Sequence, residues 1–354
     1  MSGLLLIWTA AGALAAVALI WMIGLIVARV LRERGEARRR RDWRMIQQAF
    51  LDIMNSSCVA VGRLGGVKRR PRLMAEALLE VIALVRGGGE RDRLVSALGA
   101  FGIDDIFRRC LSRGSVAGRI ASAEVLSIFP SERTRSALRQ ALGKARASEL
   151  RVSLMRSLTQ IGAPPALREA LADLSGRRGS DSLLYLPLIG QLVADDPMSA
   201  LRAFGDPRVA GEARVVLAEA LGASGNYRML RPLCVAARAP DVELRIAAIR
   251  ALAALGHPAA EATILAGLQD RSWIVRAASC EAAGRIGLHA ALPWLETQLD
   301  DPVWWVRFRA GEALAALGPA GRARLRAMVA LGGDLSRRTA SMVLAESSFT
   351  AEAA

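Results

Sequence analysis

Apolar residues in this chain fall into two patterns. Leu4 to Ala28 form one uninterrupted apolar run with no charged side chain. Further on, short amphipathic segments each open on Arg and close on Gly. RIAAIRALAALG (Arg245 to Gly256), RAASCEAAGRIG (Arg276 to Gly287) and RFRAGEALAALG (Arg307 to Gly318) superimpose without gaps at a period of 31 residues. Counted from the Arg, positions 3, 6, 7 and 10 are small or apolar, which is one stripe of a helix. Position 5 carries Glu124, Arg156, Glu219, Arg250, Glu281 and Glu312 and is predicted to face water. Gly at position 11 suits the left-handed conformation that ends a helix, and Pro258 and Pro319 soon after are predicted to keep the helix from resuming.

The template extends to Arg214–Gly225, Arg151–Gly162, Arg119–Pro130 and, after a shorter spacing, Arg91–Gly102. SLLYLPLIGQLV (Ser182–Val193) keeps the apolar positions without the Arg and Gly, and Arg338 lies 31 residues beyond Arg307. A second helix precedes each Arg helix, as in LREALADL and LPWLETQL, so the unit is helix, turn, helix, and stacking such units buries a continuous core. Upstream, Trp43, Ile46, Phe50, Ile53 and Met54 recur at helical spacing, and Leu73–Val85 is a further helix closed by Gly87, Gly88 and Gly89. The fold class expected is all-α: a right-handed α-solenoid of about nine units over 90–345, preceded by one transmembrane helix. Its parts are a span at 1–28, a basic collar at 29–44, a helical cap at 45–89, the solenoid, and a tail at 346–354.

As a helix the 4–28 run reaches about 37 Å, longer than a hydrocarbon core of about 30 Å. Basic residues follow the run rather than precede it, which suits an uncleaved anchor. Arg29, Arg32, Arg34, Arg38, Arg39, Arg40, Arg41 and Arg44 form the collar. The positive-inside rule then places Met1 outside and the bulk of the chain in the cytoplasm, on a bacterial inner membrane, with the collar on anionic lipid headgroups. Small residues Ala11, Gly12, Ala15 and Ala16 suit close approach of a second helix.

Joined to the downstream Val-Arg and Ala-rich pattern, Asp270 with Val275 and Arg276, and Asp301 with Val306 and Arg307, resemble the HEAT-repeat family, in particular the bacterial type also seen in phycobilin lyases. The resemblance implies a repeat ladder of Asp270, Arg276, Asp301 and Arg307 between successive units; Asp241, only four residues before Arg245, departs from it. It implies little about activity, because fold and function separate.

Composition agrees with helix: hydrophobic residues are 53% and aromatics 5%. The net charge is +15, much of it between residues 29 and 72, which argues against a nucleic-acid interface along the repeats. Cys58, Cys110, Cys234 and Cys280 sit far apart inside apolar patterns and read as inert core thiols. His257 and His289 each follow a repeat Gly, with Pro258 and Ala290 next to them rather than the Glu of the iron-holding HEAT hydroxylases. No metal or cofactor is expected, and Asp195–Asp196 and Asp300–Asp301 read as helix caps. Trp273, Trp304 and Trp305 stand where second helices open, a position usually polar in HEAT repeats, and are the candidate protein interface. The function expected is a non-enzymatic membrane-anchored scaffold whose partner is an integral membrane protein, for instance a polysaccharide-synthesising glycosyltransferase. The alternatives are a phycobilin-lyase-like chromophore-attachment enzyme and a HEAT-type nucleic-acid-binding protein.

Overall fold

A computed structural model describes residues 2–54, 71–84, 88–100, 102–176 and 182–352, with side chains at 2–18, 20, 39, 51, 53, 54, 182 and 347–352 excepted. Cys58, Gly87 and the four basic residues Arg63, Lys68, Arg69 and Arg70 lie outside the described residues, as do the side chains of Trp8, Arg39, Ile53, Met54 and the small positions from Ala11 to Ala16. The described residues are all-α, a HEAT-like solenoid of short helices stacked in pairs after one long helix. They divide into two compact units, Met1–Ile161 and Gly162–Ala354.

The first unit begins with α1 (Ser2–Met54), which runs unbroken through the apolar stretch and the Arg-rich stretch. The expected membrane span is corrected here: among the described residues no helix is long and apolar enough to cross a membrane. The apolar stretch is not an element of its own: the same unbroken helix continues through the eight arginines of the collar to Met54. The single-pass inner-membrane topology falls with the span. So do the headgroup contact of the collar and the integral membrane partner, both of which rested on it.

At its far end α1 buries Ile46, Ala49 and Phe50 against α2 (Pro71–Leu84) and α3 (Gly88–Ala100). Gly88 and Gly89 belong to the first turn of α3 rather than to a turn closing α2. The unit continues with α4 (Ile103–Arg113), α5 (Val116–Leu126), α6 (Glu132–Lys144) and α7 (Ser148–Gln160). Helices α2, α5 and α7 pack side by side as one layer. Thus α2, whose Met74, Ala77, Leu78 and Val81 are buried at repeat spacing, holds the layer position next to α5, while α3 packs on α1 and α4. The Arg91–Gly102 motif had been expected to supply that layer. Both helices carry the apolar stripe, so the pattern alone does not order them.

The second unit comprises α8 (Leu167–Ser175), α9 (Ser182–Asp195), α10 (Pro197–Phe204), α11 (Gly211–Ala223), α12 (Leu230–Ala236), α13 (Val242–Leu255), α14 (Glu261–Gly267), α15 (Trp273–Ile286), α16 (Leu292–Gln298), α17 (Trp304–Ala316), α18 (Gly318–Leu331) and α19 (Asp334–Glu352). The Arg-motif helices α11, α13, α15, α17 and α19 form one layer together with α9, each packed on the next. The shorter helices pair with them from the other side. Six glycines with φ between 64° and 82° (Gly102, Gly162, Gly225, Gly256, Gly287 and Gly318) all occupy position 11 of the motif. Pro258 and Pro319 do not stop helices as expected; they open the next turn, where a missing N–H costs nothing.

Close approach within this layer depends on small residues. A Cβ on Gly222 would lie 2.4 Å from Ala251 Cα, and one on Gly284 2.8 Å from Ala313 Cα. Backbone atoms are the obstacle, so α11 and α13 must part to admit a methyl group. Gly222→Ala is therefore expected to destabilise the second unit by about 1–3 kcal/mol in spite of its better helix propensity. Gly190→Ala, mid-helix in α9 with nothing within 4 Å of the added Cβ, is expected to stabilise it by up to about 1 kcal/mol. Urea denaturation of the two variants checks the opposite signs.

Candidate functional site

The Arg that opens each motif reaches back to the turn before its own helix. Arg245 donates to Ala239 O and Pro240 O at 3.0 Å each, Arg276 to Asp270 O at 2.9 Å, and Arg307 to Asp301 O at 2.7 Å. The same fork reaches forward to the next repeat. Arg245 Nε and Nη2 meet the Asp270 carboxylate at 2.9 and 3.0 Å, and Arg276 meets Asp301 at 2.8 and 3.1 Å. Each Asp also accepts from the backbone N–H two residues on, Ser272 or Val303, both at 2.8 Å. Burial tends to raise the Asp270 carboxyl, but hydrogen bonds from Arg245 and Ser272, with the nearby positive charge of Arg245 and Arg276, hold it below its ordinary value.

Arg245 belongs to this ladder through Asp270, while Asp241, out of register, caps its own helix by accepting from Glu243 N–H. Arg307 has no forward rung: position 332, where the next Asp would fall, is Gly, and the buried Arg307 Nε has no hydrogen-bond partner. These groups hold repeats together. They leave no free acid or base at the surface.

On the exposed side of the same layer the aromatic residues gather. Trp273, Trp304 and Trp305 are 40%, 44% and 51% exposed. Trp304 stacks on Phe308, one turn on, with ring centroids 5.1 Å apart and planes 9° from parallel, and meets Trp305 edge to face at 4.7 Å. Trp305 and Phe308 are 6.3 Å apart, so three rings of α17 form one patch. Trp273 holds the equivalent position in α15, which packs on α17. The position-5 residues lie one turn beyond; Arg309 reaches Glu312 at 2.8 Å and Glu281 at 3.8 Å. The sequence alone did not mark two further members of this region, the half-buried Phe308 and the exposed Leu335 at the matching position of α19. Extending the 31-residue register would have found Leu335.

The collar residues Arg29, Arg32, Arg34, Arg38, Arg40, Arg41 and Arg44 are exposed along α1. Arg29 pairs with Glu33 at 2.9 Å and Arg40 with Glu36 at 3.7 Å. A groove of about 630 Å³ is lined by Glu36, Arg40, Trp43, Arg44 and Glu76. On the layer of the first unit, a groove around position 5 of the motif is lined by Leu79, Glu124, Ser127, Ser153, Arg156 and Gln160.

Reactive groups are few. Burial pushes the Cys280 thiol far up and raises Cys110 as well, which keeps both protonated and unreactive. His257 Nδ1 accepts from Ala259 N–H at 3.1 Å and its ring lies 4.9 Å from that of Tyr227. His289 Nδ1 sits 3.1 Å from Gly287 O. Among the described residues no group of three or more His, Cys, Asp or Glu is arranged to hold a metal ion.

A family profile described as HEAT repeats matches residues 230–315, from α12 into the last turn of α17. No curated protein matches. Among solved structures, Kap121p is similar with a TM-score of 0.47 and 12% identity over 84% of this chain and 37% of that one. A substituted form of Kap121p gives 0.48 and 13% over the same shares. Human deoxyhypusine hydroxylase in complex with glycerol gives 0.25 and 18% over 70% of this chain and 98% of that one. The chain thus spans 37% of the length of Kap121p. The narrower likeness to phycobilin lyases with an anchor is corrected to one with HEAT repeats in general. The fold by itself does not separate binding from catalysis.

Proposed function

We propose that the chain is a HEAT-type scaffold that binds a protein partner, without catalysis of its own, through the exposed face of the Arg-motif helices in its second unit. The observation that carries this reading is the aromatic patch of α17. Three rings touch, Trp304 stacked on Phe308 and Trp305 edge to face with both, yet about half of Trp304 and Trp305 is left to solvent, and half-buried Trp side chains are characteristic anchors of protein interfaces. A pair of indoles serving only as core would be covered, as Tyr185 and Phe107 are. The membrane-held version of the scaffold has no part in this proposal.

A photoreactive amino acid in place of Trp305 tests it directly. In cells the full chain is expected to form a discrete adduct with one protein from position 305 and none from Glu261, exposed on α14 in the opposite layer. Equal adducts from both positions, or none from position 305, would refute the assignment of this face.

A further inference from the structure

The Arg–Asp ladder ends on an open fork. At Arg245 and Arg276 the guanidinium gives Nη1 to the carbonyls six and five residues back and turns Nε and Nη2 to one carboxylate of the next repeat. Arg307 repeats the first half, with Nη1 donating to Asp301 O at 2.7 Å and Pro302 O at 3.1 Å. A guanidinium is planar and rigid, so seating Nη1 in the same way aims Nε and Nη2 of Arg307 at the turn of the next repeat. There position 332 is Gly, and Nε is buried without a hydrogen-bond partner. Arg307 is only 9% exposed and always protonated, and an unpaired buried charge is costly. Arg214 Nε is likewise unpartnered, but Arg214 is only half-buried, so solvent shares its charge.

A carboxylate cannot come from the register position of Asp270 and Asp301. A Cβ on Gly332 would lie 2.5 Å from Met328 O and 2.7 Å from Ser336 Oγ, so no side chain fits there. Two acids stand near the turn. Asp334 lies 3.7 Å from Arg337, and Asp300 is exposed beside Gly333. The rest of the rung is in place. In the earlier rungs Ser272 N–H and Val303 N–H donate to the Asp carboxylate at 2.8 Å. The same register position is Asp334, which opens α19, and the N–H groups of a first helical turn have no partner in their own helix. Arg337 brings a second guanidinium to the turn, donating to Gly332 O at 2.9 Å. Gly333, Asp334 and Arg337 are exposed, so solutes reach it. We infer that Arg307 and the Asp334 N–H form a binding site for a carboxylate group that the chain itself does not supply, seated as the Asp side chain is seated in the two rungs before it.

The test follows the Arg Nε–Hε signals of the full chain by NMR, with Arg276 as the reference for a guanidinium already paired with a carboxylate. Acetate is the probe and acetamide its uncharged isostere. Acetate is expected to move the Arg307 signal saturably toward that of Arg276, together with the Asp334 amide, while acetamide and chloride leave both in place. Arg307→Lys keeps the charge without the fork; it assigns the Arg307 signal by its loss and is expected to abolish the response of the Asp334 amide. A blocked Asp tripeptide then separates the sources of the carboxylate. Binding tighter than that of acetate marks an acidic side chain of another protein, and binding no tighter marks a free small carboxylate. An Arg307 signal that acetate leaves unmoved would overturn the inference. So would one that moves as far with Asp300→Asn or Asp334→Asn in acetate-free buffer, since the chain would then fill the site itself. Should Arg307→Lys not fold, a crystal structure of the wild-type chain soaked in acetate decides: a carboxylate across Nε and Nη2 of Arg307 is expected, and water alone in that place would refute the site.

Discussion

Asp301→Ala is expected to cost the second unit about 3–5 kcal/mol, the usual consequence of removing one partner from a buried ion pair. Only 5% of the Asp301 side chain and 16% of Arg276 is exposed, so the abandoned guanidinium has little access to water. Val303 N–H loses its acceptor in the same step. Because Asp301 belongs to one repeat and Arg276 to the one before, the loss falls on the α15–α17 junction. Urea denaturation followed by the fluorescence of Trp273, Trp294, Trp304 and Trp305 reports it. Replacing both partners with apolar residues, Arg276→Met with Asp301→Leu, is expected to recover part of the loss. Recovery stays incomplete because Arg276 also satisfies Asp270 O. A cost below about 1 kcal/mol for Asp301→Ala would place the pair with ordinary surface ion pairs and remove the ladder as a source of cohesion.

The second large effect concerns binding. Trp304→Ala combined with Trp305→Ala is expected to weaken association with the partner by about 2–4 kcal/mol, some thirty- to a thousand-fold. Each ring keeps about half its surface against the protein, so stability also falls, by about 1 kcal/mol per ring. The affinity must therefore be measured at a temperature where wild type and variant are both folded by circular dichroism. Normal affinity in a measurably destabilised variant would show that the cluster serves packing alone.

Much of the second unit was legible beforehand. The Arg-to-Gly segments from Arg214 onward became the layer helices α11, α13, α15 and α17, and the Gly at position 11 took the left-handed conformation in each. The apolar stripe and the terminal Gly are local signals and need no distant partner. Errors arose where the signal was local but the outcome was not. Gly88 and Gly89, read as a turn, joined a helix, and Pro319 opened a helix it was expected to block. The membrane span was inferred from 4–28 alone; among the described residues no helix meets the requirement. Scaffold function as read from the anchor fell with it, whereas the aromatic candidates rested on their own positions.

The sequence by itself determined the helical period, the 31-residue repeat and the residues available to the ladder and to the patch, because those depend on spacing along one chain. Only the tertiary structure decided that Arg245 pairs with Asp270 while Arg307 has no rung, that α2 rather than α3 sits beside α5, and that Trp304 stacks on Phe308 with its other side exposed. A pairing between repeats is set by the distance at which two helices come to rest, and here Gly222 and Gly284 set that distance by letting backbone meet backbone. No periodicity within a single segment carries that information, since it belongs to the surfaces of two.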